Sequence, residues 1–231
     1  MDYKEFKKLY AASGRDISRA VFLKNQEVMR IKREETAVTN LDKIFAAVFS
    51  ITYNKGYQAM SMRDLSHKTG MSLGALYAYF PGKDDLLAIM QTQARAMVKG
   101  TLEEFALAHE NPLEKLRAVV KAHIFLSELF RPWFYFTFME ARNLTPQGFE
   151  EVKSIEEHTQ KILSDILVQG EEMGLFKSGN HDLTACMIKA MQQEWYLKRW
   201  KYTKQKINVD QFTDHVLEMV EGFCRIPMEK L

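Results

Sequence analysis

SMRDLSHKTGMSLGALYAYFPGKDDLLAIM, residues 61–90, is the stretch whose reading decides the fold. It reads as two short helices joined by a tight turn, with a third helix directly after. Ser61 opens the first helix, its hydroxyl placed to accept from a free backbone N–H, and Asp64 is a short-armed capping-box partner. Leu65 faces a core. Gly70 follows Thr69 where the helix must end, because glycine turns into the left-handed region without steric cost. Ser72 caps the second helix. Its Gly74 and Ala75 let the backbone approach a partner closely, and Tyr77-Ala78-Tyr79 forms its aromatic, polar end. This is the layout of a helix-turn-helix whose second helix enters a DNA major groove. The competing reading is three core helices with no DNA role; the coincidence of caps, turn glycine and Tyr/Lys placement argues against it.

The same residues carry a family resemblance. Leu65, Gly70, Met71, Ser72, Leu76, Tyr77, Tyr79, Phe80, Lys83, Leu86 and Leu87 fall where the TetR family of bacterial transcriptional regulators has its DNA-binding signature. Gly56-Tyr57 resembles that family's Gly-Tyr or Gly-Phe turn. The match covers about residues 40–90, and the rest of the chain resembles the family in length, helix pattern and turns. One departure is Gly82, where a Ser or Asn usually precedes the Lys; glycine is a tolerable cap. The resemblance implies that Ser72, Leu73, Gly74, Ala75, Tyr77 and Tyr79 face DNA. In chemical terms, Ser72 can donate to a phosphate or base and Ala75 can touch a thymine methyl. Tyr77 and Tyr79 can hydrogen-bond phosphate oxygens, and Lys83 pairs with the phosphate backbone. The helix start at Ser61, Met62 and Arg63 adds N–H donors. The helix carries no Arg or Gln for bidentate base contacts, so base readout is expected to be sparse, leaving shape or the N-terminal extension to add specificity.

With 231 residues, 46% of them hydrophobic, the chain can bury a sizeable core, as one large domain or two small ones. No apolar run approaches the ~18 residues of a membrane span, and the charged N-terminus lacks an apolar leader, so a cytoplasmic protein without membrane contact is expected. Cys186 and Cys224 lie far apart and are expected to be small buried hydrophobes. Neither a metal site nor a cofactor is expected, and no HExxH, GxSxG, GxGxxG, Walker loop or CxxC occurs. Charge is uneven: residues 1–100 hold 16 basic and 10 acidic side chains, the remainder 16 and 20. A basic first part and an acidic second part suit a DNA-binding head on a body that does not touch DNA.

The expected fold is all-α: an N-terminal extension over 1–36, a helix-turn-helix domain over 37–82, and a helical ligand-binding and dimerisation domain over 83–231. About nine helices are expected besides the helical extension. The extension is read either as an arm reaching phosphates or a partner, or as a helix packed on its own body or a frayed tail. Asn111-Pro112 starts one helix and Asn208 with Gln211 caps the last. A single helix of about twenty residues is expected from Asp182 to near Lys204.

Phe125, Leu129, Trp133, Phe134, Phe138, Met173, Met187, Met191 and Trp195 are candidates to line an apolar effector pocket. Soft methionines and aromatics suit such a lining, although an ordinary helical core would use them too. His123, Glu140, Arg142, Gln192 and Glu194 are polar groups near those positions that could orient a ligand. In Trp195-Tyr196-Leu197-Lys198-Arg199-Trp200-Lys201-Tyr202, aromatics alternate with cations. The resemblance places the last helices in a dimer interface, here residues 182–225, with snorkelling cations. It extends to a subgroup associated with fatty-acid metabolism, whose effectors are acyl-CoA thioesters; Lys198 and Arg199 could then meet CoA phosphates. The function expected is that of a homodimeric repressor on double-stranded operator DNA. A small apolar effector, an acyl-CoA or fatty acid, releases it. The alternatives are an architectural DNA-binding protein without a ligand and a helical enzyme.

Overall fold

A computed structural model describes residues 1–10 and 13–226, the side chains of 13–16 excepted. Among them it forms helices and no strand beyond one isolated bridge between Phe176 and Arg225. The helices are α1 (Tyr3–Tyr10), α2 (Ser13–Lys24), α3 (Glu34–Lys55), α4 (Met62–Thr69), α5 (Leu73–Tyr77), α6 (Lys83–Leu107), α7 (Pro112–Leu129), α8 (Arg131–Glu140), α9 (Pro146–Glu172), α10 (His181–Leu197), α11 (Arg199–Lys204) and α12 (Val209–Cys224). The expected starts at Asn111 and Asn208 are present as side-chain caps, the second as a full capping box with Gln211.

The residues group into two compact units. The head unit comprises Lys8–Arg95 and Pro132–Val152; the body unit comprises Met1–Lys7, Ala96–Arg131 and Lys153–Leu231.

In the head, α3 carries apolar residues at helical spacing. Leu41, Ile44, Phe45 and Val48 are buried, together with Leu65, Leu76 and Phe80 from the helices that follow. Phe45 and Phe49 make edge-on contacts with Trp133 of α8. The extension is part of this packing. Ile17, Val21 and Phe22 of α2 are buried, Ser18 Oγ donates to Asp42 Oδ1 at 2.6 Å, and the Arg30 N–H donates to the Ala78 carbonyl at 2.9 Å. Of the readings left open for it, the packed helix is the one observed.

In the body, α7 packs against α10 and α12. α1 lies here too. Phe6 is fully buried beside Phe125 and Phe105, and the Tyr3 N–H donates to Asp210 Oδ1. The single helix expected from 182 to 204 is broken at Lys198, where φ −123° and ψ 32° leave the helical region. The break lets Tyr202 and Phe212 both stack on Trp195, at 5.3 and 4.7 Å between ring centres. Cys224 is buried as expected, whereas Cys186 is exposed on the outer side of α10.

Candidate nucleic-acid interface and effector site

The helix-turn-helix is assembled from local chemistry. Ser61 and Asp64 close a reciprocal capping box: the Asp64 N–H donates to Ser61 Oγ, and the Ser61 N–H donates to Asp64 Oδ2. The Ser61 hydroxyl and Lys55, 2.9 Å away, hold the Asp64 carboxyl well below the usual carboxylate range. Gly70 takes φ +71°, the left-handed turn expected of it. Ser66 Oγ donates to the Met71 carbonyl and the Met71 N–H donates to Thr69 Oγ1, fixing the turn. Ser72 Oγ accepts from the Ala75 N–H to start α5. Leu65 and Leu76 are fully buried and anchor the two helices to α3.

That anchoring sorts the expected DNA residues. Ser61, Arg63, Ser72, Gly74 and Tyr77 are exposed, and Leu73, Ala75 and Lys83 are partly exposed. Met62 is buried, so only its main chain can serve an outside partner. Tyr79 is a correction: it is 1% exposed, ringed against Phe80, and its hydroxyl accepts from Asn40 Nδ2 at 2.8 Å. It belongs to the core because it lies beyond the end of α5, where the chain turns back under the helix. Lys83 Nζ donates to the carbonyls of Tyr57 and Gln58 and sits 4.8 Å from the Tyr57 ring centre. The Tyr57 hydroxyl donates back to the Lys83 carbonyl. Lys83 therefore holds the loop before α4 to the start of α6. The supporting residues Asn40 and Tyr57 were not among those expected as functional. The only signal for Asn40 was a polar residue inside an otherwise apolar helix stripe.

The nine expected pocket residues divide between the two units. Trp133, Phe134 and Phe138 belong to the head unit, and the other six to the body. Phe138, Met173 and Met187 are exposed, which removes them as interior lining. Phe138 and Met187 lie on α8 and α10, and Met173 lies in the turn after α9. Phe125 is buried beneath Tyr3 and Phe6 of α1. Trp195 is a closed core residue, stacked on two rings, under the Arg199 guanidinium at 4.4 Å, with Nε1–H donating to Glu128. Phe134 and Trp133 are buried, and Leu129 and Met191 partly so. The cations expected to meet CoA phosphates are already paired, Lys198 with Glu194 and Arg199 with Glu128, and Lys201 shares Glu194.

The body also buries polar groups. His123 of α7, Thr159 of α9, and Lys189 and Gln192 of α10 are all at most 5% exposed. Lys189 Nζ donates to Thr159 Oγ1 and lies 3.0 Å from Glu156 Oε2. Burial pushes the Lys189 ammonium down, with Glu156 opposing. Burial, and then the Lys189 charge, pushes His123 down to about 3. No helix among the described residues is long and apolar enough to cross a membrane.

A capped helix-turn-helix joined to a separate helical body defines a DNA-binding transcriptional regulator. Residues 44–90 match the model of the bacterial regulatory proteins of the tetR family, and residues 109–220 match the tetracyclin repressor-like C-terminal domain. The chain belongs to the TetR family of bacterial transcriptional regulators. It is 24% identical to the fatty acid metabolism regulator protein of Bacillus subtilis over 179 residues, 77% of this chain and 92% of that one. Its fold is similar to that of the ketosteroid transcriptional regulator KstR2 of Mycobacterium tuberculosis, with TM-score 0.73 and 20% identity over 87% of this chain and all of that one. It is also similar to Bacillus subtilis FadR in complex with stearoyl-CoA, with TM-score 0.61 and 23% identity over 77% of this chain and 96% of that one. By this membership the chain is a DNA-binding transcriptional regulator.

Proposed function

We propose that the chain is a homodimeric repressor released from its operator by an acyl-CoA. Residues 37–82, buttressed by α2 of the extension 1–36, bind the operator; residues 83–231 receive the effector and dimerise. The observation that carries the DNA assignment is the outer face of α5, where Ser72, Gly74 and Tyr77 lie open, as Arg63 does on α4. Small residues there admit close approach to a groove, and the tyrosine and arginine can reach phosphates.

A dimer through residues 182–225 is supported by an unpartnered apolar stripe. Leu183 and Met187 recur one turn apart on α10, Met219 and Phe223 one turn apart on α12, and Trp200 of α11 is 68% exposed. Exposed apolar residues at such spacing are what an interface between helix pairs uses. Dimerisation sets two recognition helices roughly 34–36 Å apart, one turn of DNA. An effector that prefers a body conformation incompatible with this spacing lowers operator affinity, by no more than its differential affinity for the two states.

The acyl-CoA reading is supported by the relatives, one a fatty-acid regulator and one bound to stearoyl-CoA. It no longer leans on Lys198 and Arg199. Each methylene buried is worth about 0.8 kcal/mol, so a longer chain binds more tightly until the site is full. The test is fluorescence anisotropy on operator DNA from the protein's own upstream region, titrated with acyl-CoA thioesters of increasing length. DNA should be released, at lower concentration for longer chains. Unchanged DNA binding at every chain length would overturn the acyl-CoA assignment and leave the repressor assignment standing.

A further inference from the structure

Among the buried polar groups of the body, most are satisfied locally, as Ser127 and Thr213 are by carbonyls of their own helices. Lys189 and Gln192 sit one turn apart on the same face of α10, and both are buried, Gln192 to 1% exposure. Gln192 Nε2 has no hydrogen-bond partner among the described residues. Such a donor inside a protein is paired in the great majority of cases, so its being unpaired points to an acceptor that comes from outside the chain. Lys189 has three N–H donors, and its recorded partners, Thr159 Oγ1 and Glu156, take two of them. His123 faces this group from α7, close enough for the Lys189 charge to act on it, and Thr159 and Glu156 face it from α9. Three helices of one unit thus contribute to a buried group that holds a cation and an amide N–H.

We propose that Lys189 and Gln192 form the subsite that receives the acyl oxygen of the effector, the carbonyl of a thioester or the carboxylate of a free acid. The inference rests on the acyl effector proposed above and adds where its one polar point is held. An apolar chain alone can enter a greasy core in any register. A fixed pair of donors pins one end, and so sets which chain length fills the remaining space. The same donors disfavour a pure hydrocarbon, because an apolar group placed against them leaves the Gln192 amide N–H and the third Lys189 N–H without an acceptor.

Three ligands separate the possibilities: dodecanoyl-CoA, its thioether analogue dodecyl-CoA, which lacks only the carbonyl oxygen, and dodecanoic acid. Binding to the full-length parent protein is measured by calorimetry. The thioester should bind roughly tenfold more tightly than the thioether, the worth of one good hydrogen bond. Gln192→Leu and Lys189→Met should each erase that preference while leaving operator affinity near parental. The comparison of thioester and thioether uses no variant, so it stands even if a variant folds poorly. If dodecanoic acid binds and dodecanoyl-CoA does not, with the acid weakened by Gln192→Leu, the subsite stands and the CoA reading falls. Equal binding of thioester and thioether, parental acyl affinity in both variants, or no binding of any of the three ligands overturns the proposal.

Discussion

The ring of Phe176 lies against the α-carbon of Gly170: a Cβ built on residue 170 would fall 1.9 Å from Phe176 Cδ2 and 2.3 Å from Cε2. Both residues are buried, and the Phe176 N–H donates to the Gly170 carbonyl at 3.1 Å. The glycine is what lets the chain after α9 fold back and bridge to Arg225 beside the end of α12. Gly170→Ala should therefore destabilise the protein by about 1–3 kcal/mol, the usual cost of overpacking a core. Shortening the opposing ring in the double variant Gly170→Ala/Phe176→Leu should recover part of that loss. Thermal melting of both variants tests it; a parental melting point for Gly170→Ala would mean that the ring moves aside freely.

Tyr77 and Tyr79, two residues apart, should behave as opposites. Tyr77 is half exposed on the outer face of α5, and Tyr79 is buried with Asn40 donating to its hydroxyl. Tyr77→Ala should weaken binding to every DNA sequence about equally and leave stability near parental, as expected for a phosphate contact. Tyr79→Phe should lower stability by about 1 kcal/mol through the lost hydrogen bond, with little change in the salt dependence of DNA binding. Paired anisotropy and urea-melting measurements separate the two; a salt slope altered by Tyr79→Phe would return that hydroxyl to the DNA face.

What the sequence made legible was local. Ser61, Gly70, Ser72, Asn111 and Asn208 act within a few residues of themselves, and each sits in the cap or turn that its chemistry implied. What it hid was long-range. Nothing near Tyr79 announces that Asn40, 39 positions earlier, holds its hydroxyl, and nothing near Lys198 announces that Tyr202 and Phe212 will break a helix to reach Trp195. The outward exposure of Phe138, Met173 and Met187 was hidden for the same reason. Met and aromatic residues mark apolar surface, but not whether it faces the interior, as at Phe125, or outward, as at Met187.

The N-terminal extension should contribute to stability, not to charge alone. Phe6 is fully buried against Phe125 and Phe105 in the body, while Val21 and Phe22 are buried in the head. Phe6→Ala should cost about 3–5 kcal/mol, as for a fully buried aromatic. Deleting residues 1–30 should lower the melting temperature and also remove the N–H that Arg30 gives to Ala78 at the end of the recognition helix. A truncated protein that melts like the parent but binds DNA less well at low salt would restore the reading of the extension as a basic arm.

His123 should make stability depend on pH. Burial, then the neighbouring Lys189 charge, lowers its folded-state value from 6.5 to about 3. Between those values the unfolded chain binds a proton that the folded chain does not. Stability is therefore fully present above about pH 6.5 and declines as the pH falls toward 3. One such group contributes a slope of at most about 1.4 kcal/mol per pH unit. Urea melts of the parent and of His123→Gln across pH 4 to 7.5 should show a shallower slope in the variant. Parallel slopes would mean that the imidazole is protonated in the folded protein.

Trp200 carries the sharpest test of assembly. Its ring is 68% exposed on α11, and Leu183 and Met187 of α10 and Met219 and Phe223 of α12 are exposed as well, apolar area that a second copy would cover. In an isologous interface the residue appears twice about the symmetry axis, so Trp200→Glu introduces two like charges into one buried region. The cost is on the order of several kcal/mol, enough to dissociate a dimer at micromolar concentration. Sedimentation velocity should show the parent as a dimer and the variant as a monomer with an unchanged melting profile in dilute solution. Operator affinity should collapse in the same variant, because one head binds one half-site and loses the gain from tethering two. Trp200→Phe should keep both the dimer and the affinity, since it retains the apolar contact. A Trp200→Glu protein that still sediments as a dimer would take this residue out of the interface and move the search to Met219 and Phe223 of α12.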